Sequence, residues 1–239
     1  MKYIYILYQY LIATPIFLLL TAFTAIMSVI CMPWRNGAFI HGVQVFWSRS
    51  FFYLMFIPVH VEGKENVSTS QSYVFVSNHT SMLDVWLIYG WLPNVFKWLI
   101  KKELEHVPFI GFGCKAAGHV FVDRSGPKAS LESIKKVEKV LVNGVSTVIF
   151  PEGTRTFDGK LGRFKRGAFQ IAFDLNLPVV PISLSGCYEA MSRKDWYITW
   201  HPVTMKIGKP ISLAEFSKDN PQEAMDFVRA RIEEGIVMG

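Results

Sequence analysis

The chain has 239 residues, 51% of them hydrophobic and 15% aromatic, with 25 Lys and Arg against 19 Asp and Glu and a formal charge of +6. That is enough chain for one sizeable domain plus an accessory segment, and the positive mean hydropathy argues against a purely soluble protein and for a membrane-associated one. The basic balance does not mark a nucleic-acid module, because the cations gather near glycines and strand ends and no stripe of Lys and Arg carries exposed aromatics. Cys31, Cys114 and Cys187 are widely spaced with no Cys-x-x-Cys. They read as reduced packing residues of a cytosol-facing protein and suggest neither a disulfide framework nor a metal site.

From Tyr3 to Trp34 no side chain is charged, and through His60 the charges are Lys2, Arg35 and Arg49 with no acid at all. An uncharged run beyond ~20 residues can span or deeply enter a bilayer. It is too long for a signal peptide, and no Ala-x-Ala cleavage site follows it. Pro15 and Pro33 punctuate the run, and a second apolar stretch from Phe39 to Val59 is interrupted by His41, Gln44, Arg49 and Ser50. Residues 1–59 therefore predict a two-helix hairpin anchored in or on a membrane, with a single spanning helix as the alternative.

Residues 60–239 change to short apolar runs alternating with longer amphipathic ones. Strands are expected at Val59–Glu62, Tyr73–Ser77, Phe96–Ile100, His119–Val122, Thr147–Phe150, Val179–Leu184 and Thr204–Gly208. Helices are expected at Leu83–Trp91, Ala129–Val142, Ala168–Leu175 and Pro221–Ile236, the last opened by an Asn220 cap and Pro221 in the first helical position. This alternation predicts an α/β domain with a mixed, largely parallel sheet flanked by helices.

The segment Asn78-His79-Thr80-Ser81-Met82-Leu83-Asp84 follows the strand ending at Ser77 and opens a helix near Ser81. Two residues five apart on a regular helix lie about 140° apart around its axis. His79 must therefore sit in the turn before the helix, with Asp84 reaching back from the first helical turn. Asp84 can then hold the imidazole in one tautomer while the other ring nitrogen takes a proton from an attacking hydroxyl. Ser81-x-x-Asp84 equally fits a capping box, in which Asp84 serves only the backbone.

Phe150-Pro151-Glu152-Gly153-Thr154-Arg155 also follows a strand, where ligands of open α/β sheets gather. Arg155 offers a planar fork for a phosphate and Gly153 permits close backbone approach. Glu152 could orient Arg155, bind a substrate hydroxyl, or form a purely structural ion pair with the arginine. Lys101 and Lys102 end a third strand, and Asp123 and Arg124 a fourth. If these strands are parallel neighbours, their ends form one electropositive crevice.

These segments, in this order, resemble the bacterial type of 1-acyl-glycerol-3-phosphate (lysophosphatidate) acyltransferase. The matching blocks are Asn78–Asp84 with its His-x4-Asp motif, Gly118–Arg124, Phe150–Arg155 and Val180-Pro181-Ile182. Asp158-Gly159-Lys160 and Phe164-Lys165-Arg166-Gly167 also look like the family's pattern. The resemblance implies acyl transfer to the sn-2 hydroxyl of lysophosphatidate, giving phosphatidate in phospholipid biosynthesis. The donor would be acyl-CoA or acyl-carrier protein, a substrate rather than a bound cofactor, with no metal and no covalent acyl-enzyme. His79 would be the base and Asp84 its orienter. Glu152, Gly153, Thr154 and Arg155 would bind the acceptor, with Arg124 and one of Lys101 or Lys102 assisting its phosphate.

The resemblance further implies an N-terminal two-helix anchor at the cytoplasmic face of the inner membrane. Backbone N–H groups at the helix start or along Val180–Ile182 are the candidates for stabilising an oxyanion. A lipid hydrolase would need a nucleophile, and no Gly-x-Ser-x-Gly elbow is present. A membrane-tethered anionic-lipid binder is the non-enzymatic rival, and there His79 would be structural.

Overall fold

The computed structural model describes residues 2–31, 33, 38–107, 110–123, 125–141 and 143–237. An apolar helix α1 (Lys2–Ile30) and a second helix α2 (Ala38–Leu54) precede the sheet. Its strands are β1 (Val59–Glu62), β2 (Val74–Ser77), β3 (Phe96–Lys101), β4 (Val120–Val122), β5 (Ser146–Ile149), β6 (Val179–Ser185) and β7 (Val203–Ile207). They form one sheet in the order β1-β7-β6-β2-β5-β3-β4, parallel at every neighbour except β6 with β7. The further α-helices are α3 (Leu83–Trp91), α4 (Ile110–Ala116), α5 (Pro127–Val140), α6 (Gly167–Asp174), α7 (Cys187–Ala190) and α8 (Gln222–Gly235), with 3-10 turns at Lys64–Asn66 and Lys102–His106.

The Val-Phe-Val run of β2 is buried on both faces, as expected of a central parallel strand. Phe75 faces one apolar layer with Leu83, Leu87 and Ile88 of α3. Val74 and Val76 face the other, with Val137 of α5, Phe169 of α6 and Val228 and Ile232 of α8. Phe17 of α1 and Phe51 and Phe52 of α2 belong to the same cluster as Phe75, so the N-terminal helices and the sheet share one core.

The helix α2 buries several polar side chains beside Ile40, Phe51 and Phe52 and leaves other aromatics outside. Gln44 accepts a hydrogen bond from the Tyr89 hydroxyl at 2.6 Å, Ser48 bonds the Trp86 carbonyl, and Arg49 donates to the Gly90 carbonyl at 2.7 Å. Phe39, Phe46 and Tyr53 are exposed, as is most of the apolar surface of α1. A helix with this pattern is suited to a lipid surface rather than to water. The α1 helix is long and apolar enough to cross a membrane by length and composition.

Several expectations shift. Pro15 does not break α1; a wider π-type turn over Gln9–Ala13 comes just before it, with the Thr14 N–H donating to the Gln9 carbonyl. That turn adapts the helix to a ring that supplies no N–H and crowds the preceding carbonyls. Asn220 does not cap α8, whose cap position is Pro221, with no side-chain bond. The helix expected at Ala129–Val142 runs Pro127–Val140; Val142 and Trp34, the end of the uncharged run, lie outside the described residues. The short α4 forms although its Gly-rich sequence Ile110-Gly111-Phe112-Gly113 carries no helical signature.

Between α2, α3 and β3 lies a buried polar cluster. The His119 Nδ1 accepts from the Trp98 N–H at 3.3 Å, and its Nε2 lies 3.2 Å from the Tyr89 hydroxyl, which itself donates to Gln44. A neutral ring with its proton on Nε2 satisfies both neighbours, whereas a second proton would oppose the Trp98 N–H. Burial, helped by the nearby charges of Lys97 and His41, pushes the His119 pKa down to about 3. Because an unfolded histidine titrates near 6.5, between about pH 3 and pH 6.5 the unfolded chain binds one more proton here and stability falls as pH is lowered. In detergent solution we expect this group to remove up to about 1.4 kcal/mol of unfolding free energy per pH unit below about pH 6.5. His119→Asn should flatten the slope by about one proton, and an unchanged slope in denaturant titrations would show that another group carries it.

Candidate active site

The parallel strand order puts the C-terminal ends of β6, β2, β5, β3 and β4 along one edge of the sheet. His79 sits in the turn after β2, and Asp84, fully buried, lies in the first turn of α3. Asp84 Oδ2 accepts three donors: His79 Nδ1 at 2.9 Å, the Thr80 N–H at 2.6 Å and the Ser81 N–H at 2.8 Å. Capping and imidazole holding are therefore performed by the same oxygen. Ser81 Oγ accepts from the Leu83 N–H at 3.1 Å and donates to the Met191 carbonyl at 2.6 Å. Asn78 exchanges two bonds with the Leu184 backbone at 2.8 and 2.9 Å, tying the turn to β6.

The imidazole is also held by its face. It stacks on Phe150 with centroids 4.0 Å apart and planes at 12°, and Trp98 stacks on the same phenyl ring at 5.5 Å. The His79 side chain is 14% exposed, and with Nδ1 held by Asp84 the other ring nitrogen, Nε2, is the one left for an incoming group. Cys187 is buried close to Asp84, and burial followed by the charge of Asp84 pushes its thiol pKa well up. That suits a protonated packing residue, not a nucleophile.

Among the described residues, Glu152 makes neither of the contacts with Arg155 that the sequence suggests. Its Oε1 accepts from the His79 N–H at 2.8 Å and its Oε2 from the Gly162 N–H at 2.8 Å. Burial raises its pKa, and those two N–H donors oppose the rise. The carboxyl group thus joins the His79 turn to the loop between β5 and α6 through two backbone amides. A side chain at Gly162 would place its Cβ 2.6 Å from Glu152 Oε2, so glycine makes this approach possible.

Gly153 adopts φ +74°, and a Cβ there would lie 2.7 Å from Lys165 Nζ. Arg193, from the segment after α7, lies over the Phe157 ring at 4.4 Å, and its Nη1 is 3.4 Å from both Thr154 Oγ1 and the Arg155 carbonyl. Arg155, Lys165 and Arg193 have no carboxylate partner among the described residues, and Arg166 nearby is turned away onto the Lys218 and Asp219 carbonyls. Three uncompensated cations around one glycine turn can receive an anionic group. Lys165 stood inside a recognised stretch of sequence, but Arg193 had no local signal, since only the fold brings it beside Thr154.

Lys101 and Lys102 lie at the end of β3, two strands from β2 and about 10 Å across the sheet. They pair with Glu103 at 2.9 Å and Asp123 at 2.7 Å. Arg124 lies outside the described residues. The crevice expected here is a cavity of about 290 Å³ whose lining mixes Lys102, Lys115 and Lys136 with Glu105, Asp123 and Glu132, so it is not uniformly electropositive. Both proposed oxyanion sources are also engaged. The Thr80 and Ser81 amides serve Asp84, and Val180–Ile182 lies within β6, between β2 and β7.

Residues 58–185 match the family model described as Acyltransferase. A 1-acyl-sn-glycerol-3-phosphate acyltransferase of Cocos nucifera is 31% identical over 84% of this chain and 66% of its own length. A chloroplastic enzyme of the same name from Arabidopsis thaliana is 36% identical over 75% of this chain and 50% of its own, so the chain spans between half and two thirds of these relatives. The crystal structure of the 1-acyl-sn-glycerophosphate (LPA) acyltransferase PlsC from Thermotoga maritima superposes with a TM-score of 0.78 at 29% identity, covering 97% of this chain and 93% of that one.

Glu152→Gln tests the join between the two loops. The amide keeps the shape but aims an NH2 at one of the two backbone donors, so we expect a loss of about 1–3 kcal/mol in urea unfolding. Unchanged stability would mean that neither bond contributes.

Proposed function

The chain belongs to the acyltransferase family, and from that premise we propose that it transfers an acyl chain from a thioester to the free sn-2 hydroxyl of 1-acyl-sn-glycerol-3-phosphate, forming phosphatidate. The observation that carries this reading is the pairing of His79 Nδ1 with Asp84 Oδ2 at 2.9 Å, beside a glycine turn ringed by Arg155, Lys165 and Arg193. A base with an open Nε2 next to a cationic turn suits a substrate that carries both a hydroxyl and a phosphate.

In the proposed reaction His79 Nε2 takes the proton of the sn-2 hydroxyl as its oxygen attacks the thioester carbonyl. The tetrahedral intermediate collapses, the carbon–sulfur bond breaks, and the departing thiolate receives that proton from Nε2. Asp84 holds Nδ1–H throughout, which fixes the tautomer and balances the transient imidazolium charge. No acyl-enzyme forms, and the donor is acyl-CoA or acyl-carrier protein. Arg155, with Gly153 and Thr154, holds the acceptor phosphate, and Lys165 and Arg193 add to that charge. Lys101, Lys102 and Arg124 act further along the edge, and Glu152 acts as a positioning residue through the His79 amide.

Residues 1–59 attach the enzyme to the cytoplasmic face of the inner membrane, and residues 60–239 carry the chemistry. Attachment within one leaflet is favoured by the bonds that tie the first half of α1 to the protein: Tyr5 to the Met55 carbonyl at 2.6 Å, Tyr8 to the Leu54 carbonyl at 2.8 Å, and Gln9 to the Ile198 carbonyl at 2.7 Å. A helix held along the domain by these bonds is placed to lie in the interface.

Detergent-purified protein with labelled lysophosphatidate and either donor should yield phosphatidate, and His79→Ala should cut turnover about 10²–10⁴-fold while lysophosphatidate still binds. No product from the unaltered enzyme with either donor, despite acceptor binding, would overturn the reading. Arg155→Ala should raise the acceptor KM about 10–100-fold with a smaller effect on kcat, as loss of a charge-assisted phosphate contact demands. An unchanged acceptor dependence would remove Arg155 from the phosphate site.

A further inference from the structure

Between α7 and β7 the chain runs through Met191-Ser192-Arg193-Lys194-Asp195-Trp196-Tyr197-Ile198-Thr199-Trp200. Trp196 is 88% exposed and Trp200 53% exposed. Exposed apolar residues scattered singly need no explanation, but these two are continuous with the lipid-suited surface of the N-terminal helices.

The continuity is built from specific bonds. Buried Gln9 of α1 donates to the Ile198 carbonyl at 2.7 Å and accepts from its N–H at 2.8 Å. The Tyr10 hydroxyl donates to the Trp196 carbonyl at 2.8 Å, Lys2 lies 5.3 Å over the Tyr197 ring, and Trp200 Nε1 donates to the carbonyl of exposed Phe56 at 2.8 Å. The indole of Trp200 thus satisfies its polar end on the protein and leaves its apolar ring outward. At the other end Met191 is bonded to Ser81 of the catalytic turn, and Arg193 reaches Thr154. One short segment therefore runs from the candidate active site to α1.

We propose that residues 191–200 are a third membrane contact, an aromatic lip that sets Trp196 and Trp200 into the headgroup layer of the leaflet holding α1 and α2, with Arg193 and Lys194 at the level of the headgroup phosphates. Tryptophan is the side chain that the membrane–water boundary favours, because its ring is apolar and its N–H polar. Cations beside it are drawn to phosphates at the same depth. Held this way, the lip keeps the active-site mouth at the bilayer surface, where a lysolipid presents its headgroup and hydroxyl.

The test uses the full chain in a Cys114→Ser background, since Cys31 and Cys187 are buried. An environment-sensitive fluorophore is placed at Trp196→Cys, and for comparison at Glu223→Cys on α8, which packs on the opposite face of the sheet from the N-terminal helices. In mixed phosphatidylcholine and phosphatidylglycerol vesicles, the label at 196 should be quenched by a headgroup nitroxide lipid more than by a deep-chain one, and the label at 223 by neither. Quenching at 196 no greater than at 223 overturns the proposal. This result does not depend on the transferase reading, so the two can fail separately. In the activity arm, which rests on that reading, Trp196→Ser should raise the apparent KM for vesicle-embedded lysophosphatidate about three- to tenfold. The value for a short-chain, water-soluble lysophosphatidate should not change. An equal rise on both substrates would make Trp196 an acceptor-site or folding residue and overturn the lip.

Discussion

One oxygen of a buried carboxylate, Asp84 Oδ2, organises the turn on which the rest of the site is built. It receives two backbone amides and one imidazole N–H. A buried carboxylate is tolerated when donors replace its lost hydration, and these three do so at Oδ2, while Oδ1 is buried without a hydrogen-bond partner among the described residues. Because the donors are consecutive residues, satisfying the carboxylate shapes the backbone from His79 to Ser81 and orients the ring in one step. Helix capping and base orientation are not alternatives here.

Other parts of the fold then join that turn. Glu152 accepts the His79 amide on one side and the Gly162 amide on the other, so the loop after β5 cannot shift without pulling on the base. Phe150 covers the imidazole face, and Asn78 fastens the turn to Leu184 of β6. Adjacent parallel strands carry these groups, which is why a base on β2 and an anion-suited turn on β5 can share one substrate.

The N-terminal helices are integrated into the same core. Phe17, Phe51 and Phe52 pack in the cluster that contains Phe75 and Leu83, the latter opening the helix that follows the His79 turn. The polar residues of α2 are turned inward onto Tyr89, Trp86 and Gly90, leaving an aromatic exterior. A surface of that kind is suited to a lipid boundary, and the shared core fixes its distance from the candidate site.

Much of this was legible in residue order. Alternating short apolar runs marked all seven strands to within one or two residues, and the parallel arrangement followed from the intervening helices. The five-residue spacing of His79 and Asp84 required a pre-helix turn, because no regular helix brings such residues together, and local chain geometry is determined by near neighbours. What only the tertiary structure decided were contacts between distant segments. Glu152 looked like a partner for Arg155, three residues away, yet the fold offers it two buried amides, and unpaired amides out of water are costlier than an exposed arginine. Lys102, expected near a phosphate, finds Asp123 on the neighbouring strand. Arg193 and Trp196 carry no motif, and they gain meaning only where β6 and α7 deliver them between Thr154 and α1. Composition and spacing determine which elements form and which face each presents. Which charges remain unpartnered depends on strand order and loop packing, because a charge takes the best partner that the whole chain brings within reach.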